Sequence, residues 1–300
     1  MENNFFSKVV IGTWSLSGDF GKVEKKNIFK SIEAAIRNNF FEFDTAPTYG
    51  NGKIYEILKD IIGNEKKIKI NTKCGYNLNS IKTFNPSDIE KSIDFSLNKF
   101  KKINTIFLHN PRNEIKNWQK IIDILNWYKK KKYIKNIGIS LARDFYFNEN
   151  IMNQFDYLQD EINLLRPQSI FLLKKFKPKI MARSPLASGC LSGKLNINSK
   201  FLASDYRARW LSDKKRLKNI LFQVAQISKI TGKNIKQFSK IFLLKNKLIN
   251  KVIFGIKKPS HVNELLEDIN KTHSLDELKV NKVYELANLK FNLRHSENGY

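Results

Sequence analysis

Short apolar runs alternate with segments of helical periodicity along almost the whole chain. Val9 to Thr13, Phe40 to Asp44, Ile68 to Lys73, Thr105 to His109 and Asn136 to Ser140 have the length and content of strands. Between them, Ile28, Ile32 and Ile36 fall on one helix face, and so do Ile54, Leu58 and Ile61. A third stripe, Ile89, Ile93, Leu97 and Phe100, opens at Pro86. Proline suits a first helical turn because its missing N–H has no intrahelical partner to lose there. Trp118, Ile121, Ile122 and Leu125 make a fourth stripe. A helix between successive strands carries the chain back over the sheet, so strands joined this way run parallel.

The second half keeps the rhythm. Tyr157 to Asn163 and Ile180 to Ser184 read as strands six and seven, and Lys251 to Gly255 as strand eight. Two helices fall before the eighth strand, about Asp213 to Ile230 and Ile235 to Lys245, with Gly232 as a stop signal and Asn234 as an N-cap. A last helix is expected from near Ser274, carrying Leu278, Leu286 and Leu289. Eight strands without a Pro/Gly-rich linker point to an α/β fold of one domain over residues 1–300. Its expected form is a (β/α)8 TIM barrel with extra helices before strand eight and at the C-terminus.

Composition narrows the function. Cys74 and Cys190 are the only cysteines, and the N-terminus lacks a basic region followed by an apolar stretch. This pattern indicates a reducing, cytoplasmic setting rather than a disulfide scaffold. No apolar run approaches the roughly 20 residues of a membrane span, so no membrane partner is expected. The net charge of +26 invites a polyanion, yet the lysines are dispersed and come with Asn, Ile and Phe enrichment, as in an AT-rich coding sequence. No groove-reading or base-stacking motif accompanies them, so no specific nucleic-acid partner is expected. His261, His273 and His295 lack cysteine or carboxylate companions at metal-ligand spacing, and no metal is expected. No strand is followed by G-x-G-x-x-G, and Ser188 to Lys194 is not a P-loop.

The strand ends carry the chemistry. Strand two ends in Asp44, strand three in Lys73, strand four in His109 and strand five in Ser140, with Tyr49 one loop turn beyond Asp44. In a parallel barrel these termini share the rim where active sites of this fold lie. Asp44, Tyr49, Lys73 and His109 would therefore converge. An ammonium beside a phenol stabilises the phenolate and lowers its pKa, a carboxylate holds the ammonium, and a histidine orients a carbonyl oxygen. Such a set can protonate the oxygen of a carbonyl that receives hydride. Singly, each residue also has a structural reading: a turn aspartate, a packing tyrosine, a solvated strand-end lysine, a turn-initiating histidine.

The segment Phe43 to Gly50 resembles the aldo-keto reductase signature, as do Gly12-Thr13-Trp14, Thr72-Lys73 and Leu108 to Pro111. Gly138 to Ser140, Ser184 to Leu186 with Gly189 to Lys194, and Phe254-Gly255 with the following lysines resemble its cofactor segments. The resemblance runs in order from about Val9 to Asp268. It implies a Tyr49 acid, Lys73 lowering its pKa, Asp44 pairing with Lys73, and His109 orienting the carbonyl. It also implies a nicotinamide dinucleotide, NADPH with NADH as alternative. Ser140 and Gln159 would hold the carboxamide, Thr13 and Asp44 the ribose, and Trp14 would also touch the cofactor. Ser184, Leu186, Gly189 and Lys194 would take the pyrophosphate, and Gly255, Lys257 and Ser260 would lie along the cofactor towards its adenosine end. Trp14, Tyr49 and His109 would line the pocket for a small carbonyl substrate, of sugar-derived type. Leu141 and Leu265 stand where the family often has Asn, and His261 where it often has Arg or Gln. Specificity would reside in the loops after strands one, three and four and in the tail beyond Lys271. The alternative implied function is a cofactor-binding barrel serving as a sensor or regulatory subunit.

Overall fold

The computed structural model describes residues 5–62, 65–77, 79–143, 145–232, 234–270 and 276–290, the last three without side chains. Eight parallel strands close into a barrel in sequence order. They are β1 (Val9–Gly12), β2 (Glu42–Asp44), β3 (Lys69–Cys74), β4 (Ile103–His109), β5 (Ile134–Ser140), β6 (Tyr157–Glu161), β7 (Lys179–Arg183) and β8 (Ile249–Gly255). Closure comes from β1 lying beside β8, with Val9 opposite Val252 and Gly12 opposite Gly255. The α/β TIM barrel expected from the sequence is the fold observed.

Helices coat the outside: α1 (Lys25–Arg37), α2 (Lys53–Ile62), α3 (Pro86–Phe100), α4 (Trp118–Lys130), α5 (Glu149–Met152), α6 (Ser169–Leu173), α7 (Ala208–Leu211), α8 (Lys214–Thr231), α9 (Ile235–Lys245), α10 (Pro259–Asn270) and α11 (Glu277–Lys290). Their starts follow from local chemistry. Asn85, Asn117, Asp213 and Asn234 each accept a backbone N–H from the first turn of α3, α4, α8 and α9. Gly232, with φ of 89°, ends α8 in a backbone conformation that disfavours side chains with a Cβ.

Four differences from the sequence reading have physical causes. β4 and β5 each begin two residues earlier than expected, because Ile103 pairs with Ile134 and extends the ladder. The short helices α5, α6 and α7 span only four or five residues, too few to show a period. α10 was not anticipated; it buries Val262, Leu265 and Ile269. In α11 Val283 and Ala287 are buried and Val280, Tyr284 and Leu286 pack against the core, whereas Leu278 is 74% exposed. The expected start near Ser274, the side chain of Leu289, His273, His295 and, of the tail beyond Lys271, residues 272–275 and 291–300 lie outside the described residues. No described helix is long and apolar enough to cross a membrane.

Inside the barrel, Val10, Phe107, Met181 and Ile253 pack together as a plug. Gly138 on β5 makes room for it: a Cβ there would lie 2.5 Å from the Phe107 ring and 3.0 Å from the Tyr157 carbonyl. Both obstacles are a packed ring or backbone, so neither yields easily. Gly138→Ala is therefore expected to destabilise the protein by about 1–3 kcal/mol through overpacking. A thermal melt that matched wild type would show that the barrel interior is looser than this packing requires.

Candidate active site

The C-terminal strand ends bring four expected residues together. Lys73, the fifth residue of β3, is 2% exposed, and its Nζ donates to Asp44 Oδ1 at 2.6 Å and to the Thr45 carbonyl at 2.9 Å. Asp44 ends the neighbouring strand β2. Its second oxygen accepts from Gln159 Nε2 at 3.0 Å, a contact made across the barrel from β6. Gln159 in turn accepts from Ser140 Oγ at 2.8 Å, and Thr13 Oγ1 donates to the Asp44 carbonyl at 3.1 Å. Thr13, Asp44, Lys73, Gln159 and Ser140 thus form one buried hydrogen-bonded chain over five strand ends.

Tyr49 lies above this chain. The Lys73 ammonium sits 5.0 Å from the centre of its ring, the His109 ring 6.4 Å away and nearly perpendicular, and the Trp14 ring 6.2 Å away and nearly parallel. Tyr76, from the loop after β3, packs on the other side of His109 at 5.2 Å. Trp14 is held in turn: its indole N–H donates to Asp19 at 2.6 Å, and Phe20 and Tyr206 pack edge-on against it.

The electrostatics correct one expectation. Burial pushes the Tyr49 phenol up from its usual range, and although Lys73 supplies the strongest opposing influence, the net direction is upward. Lys73 therefore moderates the phenol's pKa without making it lower than that of a free tyrosine, and Tyr49 is a protonated donor at neutral pH. For Lys73 itself burial is the largest influence and lowers the value, but Asp44 and Tyr49 outweigh it and the ammonium persists. His109 lies well below the usual histidine range, first through burial and then through the charges of Lys73, Arg183 and Lys82. It is a neutral imidazole, able to donate from one nitrogen.

The other expected ligand-binding positions fall along a path from this chain to the rim. After β7 the backbone takes positive φ at Ser184 (56°), Ala187 (47°), Ser188 (53°) and Gly189 (96°). Strain of this kind persists only where surrounding structure enforces it. Here Ser239 donates to the Pro185 carbonyl at 2.6 Å, and Asn163 to the Ser184 carbonyl at 3.0 Å. Leu186 packs against the core, and Lys194 is exposed at the loop's far end. Arg207, paired with Asp205 at 2.7 Å, lies over the curled segment, 3.5 Å from where a Gly189 Cβ would sit. Gly255 carries no side chain opposite Gly12, and a Cβ on Gly12 would come within 2.7 Å of Ile253. Ser260 and Lys258 are exposed at the start of α10, where the helix N-terminus favours anions. The Lys257 ammonium turns the other way and donates to the Phe20 carbonyl at 2.6 Å. Leu141 is packed in the core and brings no amide to the mouth.

These features fit a dinucleotide: two amide-recognising side chains at the reacting end, a curled backbone loop under a guanidinium, and a cationic helix N-terminus beyond. The sequence reading passed over Arg183, Asp19, Tyr206 and the Arg207–Asp205 pair. Of these, Arg183 alone stood near an expected strand end, one residue before Ser184.

The family model for the "Aldo/keto reductase family" matches residues 8–288. The aldo-keto reductase YhdN of Bacillus subtilis (strain 168) is 22% identical over 304 residues, covering 93% of this chain and 90% of that protein. The glycerol dehydrogenase AKR11B4 of Gluconobacter oxydans superposes with a TM-score of 0.78 at 22% identity, over 95% of this chain and 93% of that one. The holo form of the aldo-keto reductase AKR11C1 of Bacillus halodurans gives 0.72 at 16% identity, over 93% and 91%. At these identities the two structures speak to the fold, while the match over nearly all the sequence speaks to descent. The chain belongs to the aldo/keto reductase family and is an NAD(P)H-dependent oxidoreductase.

Proposed function

We propose that the protein reduces a small, sugar-derived aldehyde or ketone with NADPH in the cytoplasm, that Tyr49 is the acid, and that residues 1–300 work as one barrel domain. The observation that carries this reading is the buried Lys73–Asp44 pair set beneath a half-buried tyrosine and beside a neutral histidine. When bound, the nicotinamide supplies hydride to the carbonyl carbon. As the new C–H bond forms, negative charge grows on the oxygen. The Tyr49 hydroxyl and a His109 ring N–H donate to that oxygen, and Tyr49 gives up its proton to complete the alcohol. Lys73 stabilises the phenolate left behind, and Asp44 keeps Lys73 charged and in place. Trp14 and Tyr76 wall the pocket.

Ser140 and Gln159 would hold the carboxamide, Thr13 and Asp44 the nearby ribose, and Ser184 to Gly189 with Lys194 the pyrophosphate. Lys258, Ser260 and the helix N-terminus would take the adenosine end. NADPH is favoured over NADH because Lys258 and Lys194 both act on His261 while Glu264, which acts on it more strongly, is paired with Lys236, which leaves the two lysines to meet a 2′-phosphate. Two buried, free thiols, Cys74 and Cys190, suit a reducing compartment. The glycerol named for the Gluconobacter protein supports a polyhydroxylated substrate class.

Tyr49→Phe removes the proton donor and leaves the ring, so turnover of a generic aldehyde is expected to drop by about 10²–10⁴-fold with little change in cofactor binding. Retained turnover would remove Tyr49 from the mechanism. The reductive kcat/KM is expected to stay flat across neutral pH and to fall only at a pH more alkaline than that at which a free tyrosine ionises, because burial raises the phenol. The lowered His109 adds no inflection near 6.5, and a break there in the measured profile would contradict a neutral imidazole. Lys258→Ala should raise KM for NADPH several-fold while leaving that for NADH unchanged, as steady-state kinetics with both cofactors would show. An equal effect on both would place the 2′-phosphate elsewhere.

A further inference from the structure

Arg183 is a cation in the reaction pocket that the mechanism above does not use. Side chains alternate across a strand, so residues two apart face the same way. Met181 belongs to the interior plug together with Phe107. Two residues further on, Arg183 faces the barrel axis one level nearer the rim, as His109 does beyond Phe107. On β6 the residue opposite Arg183 is Glu161, and Ala182 lies opposite Val252 on β8. Arg183 therefore stands on the wall of the mouth, across from β3 and β4, which carry Lys73 and His109. Its charge acts on Tyr49 and His109, and also on the buried Asp160, so all three lie within its electrostatic reach.

The guanidinium is poorly satisfied where it stands. Among the described residues it makes one hydrogen bond, from Nη2 to the Leu141 carbonyl at 3.2 Å, while Nε is buried without a partner. No described carboxylate lies within ion-pair distance. Asp44 is committed to Lys73 and Gln159, Asp160 to Tyr146 and a backbone N–H, and Glu161 to Asn163. A half-buried cation with a spare donor, and with the Asp160 charge within reach but no described carboxylate at ion-pair distance, is costly unless a ligand completes it. Its planar fork matches a carboxylate or phosphate with two parallel hydrogen bonds.

We propose that Arg183 binds an anionic group of the substrate, so that the compound reduced is a carbonyl compound carrying a carboxylate or a phosphate within a few bonds of the reacting carbon. This deepens the carbonyl-reductase reading and rests on it. The nearby curled loop offers its own cradle for the cofactor's pyrophosphate, whereas the Arg183 charge reaches Tyr49 and His109.

Matched pairs of substrates test the idea: succinic semialdehyde against butanal for a carboxylate, and glyceraldehyde 3-phosphate against glyceraldehyde for a phosphate. Each is measured with NADPH in wild type, Arg183→Leu and Arg183→Lys. In wild type, kcat/KM for one anionic member is expected to exceed its neutral counterpart by about ten- to a hundredfold. That ratio should collapse in Arg183→Leu, through KM, and recover in part in Arg183→Lys; which pair responds identifies the anion. An unchanged ratio in Arg183→Leu overturns the proposal. So does an equal loss for charged and neutral members, which would mark a structural role, or a rise confined to the KM for NADPH, which would mark a cofactor role. Binding gives an independent reading: oxalate titrated into the protein with NADPH, followed by tryptophan fluorescence, should bind wild type and not Arg183→Leu. Equal oxalate binding to both overturns the proposal even without turnover. Failure of wild type to reduce any of the four compounds, with oxalate binding still dependent on Arg183, sinks the carbonyl-reductase reading and leaves the anion site standing.

Discussion

Burying a lysine ammonium at the centre of a barrel mouth is the constraint around which the site is arranged. Removed from water, such a charge costs several kcal/mol unless a counter-ion and hydrogen bonds offset it. Lys73 receives both, from Asp44 and from the Thr45 carbonyl. Asp44 is itself secured by Gln159 from the far side of the barrel, and Gln159 by Ser140. The pair therefore exists only when β2, β3, β5 and β6 are all in register. Folding and assembly of the site are the same event, and removing either charge would strand the other in a dry interior.

The same pair sets the character of its neighbours. Tyr49 stays protonated because burial outweighs the nearby ammonium, and His109 stays neutral because burial and three cations oppose its protonation. The result is two neutral donors facing one space, backed by positive charge. That suits a carbonyl oxygen on its way to becoming an alkoxide. Desolvation, which makes a single group expensive, is here what keeps each group in the protonation state the chemistry requires.

The rest of the mouth is shaped by backbone. Gly138 yields to Phe107 so that the plug closes the barrel floor, and Gly12 and Gly255, paired across β1 and β8, leave room for the side chains of Ile253 and Ser15. The loop after β7 holds three non-glycine residues and Gly189 at positive φ, with Ser239 and Asn163 fastening its carbonyls. This loop strain occurs on the face where ligands of this fold bind.

The barrel was legible in the alternation of strands and helices because each apolar run and stripe is a local pattern, and strand order followed from the need for crossovers. Asp44, Lys73, His109 and Ser140 were legible because a polar residue at the end of an apolar strand is visible in one dimension. Short helices without a period, the buried face of α11 and the two-residue extensions of β4 and β5 were not, since each is decided by what packs or pairs alongside. Arg183 lay one residue before the expected end of strand seven, and nothing in the sequence tells whether such a charge finds a partner. The direction of the Tyr49 shift likewise went the other way from the expectation drawn from Lys73 alone. Residue types and spacings determine which groups can meet; how deeply they are buried, and which of them lack a counter-charge, is a sum over neighbours distant in sequence that only the closed barrel brings together.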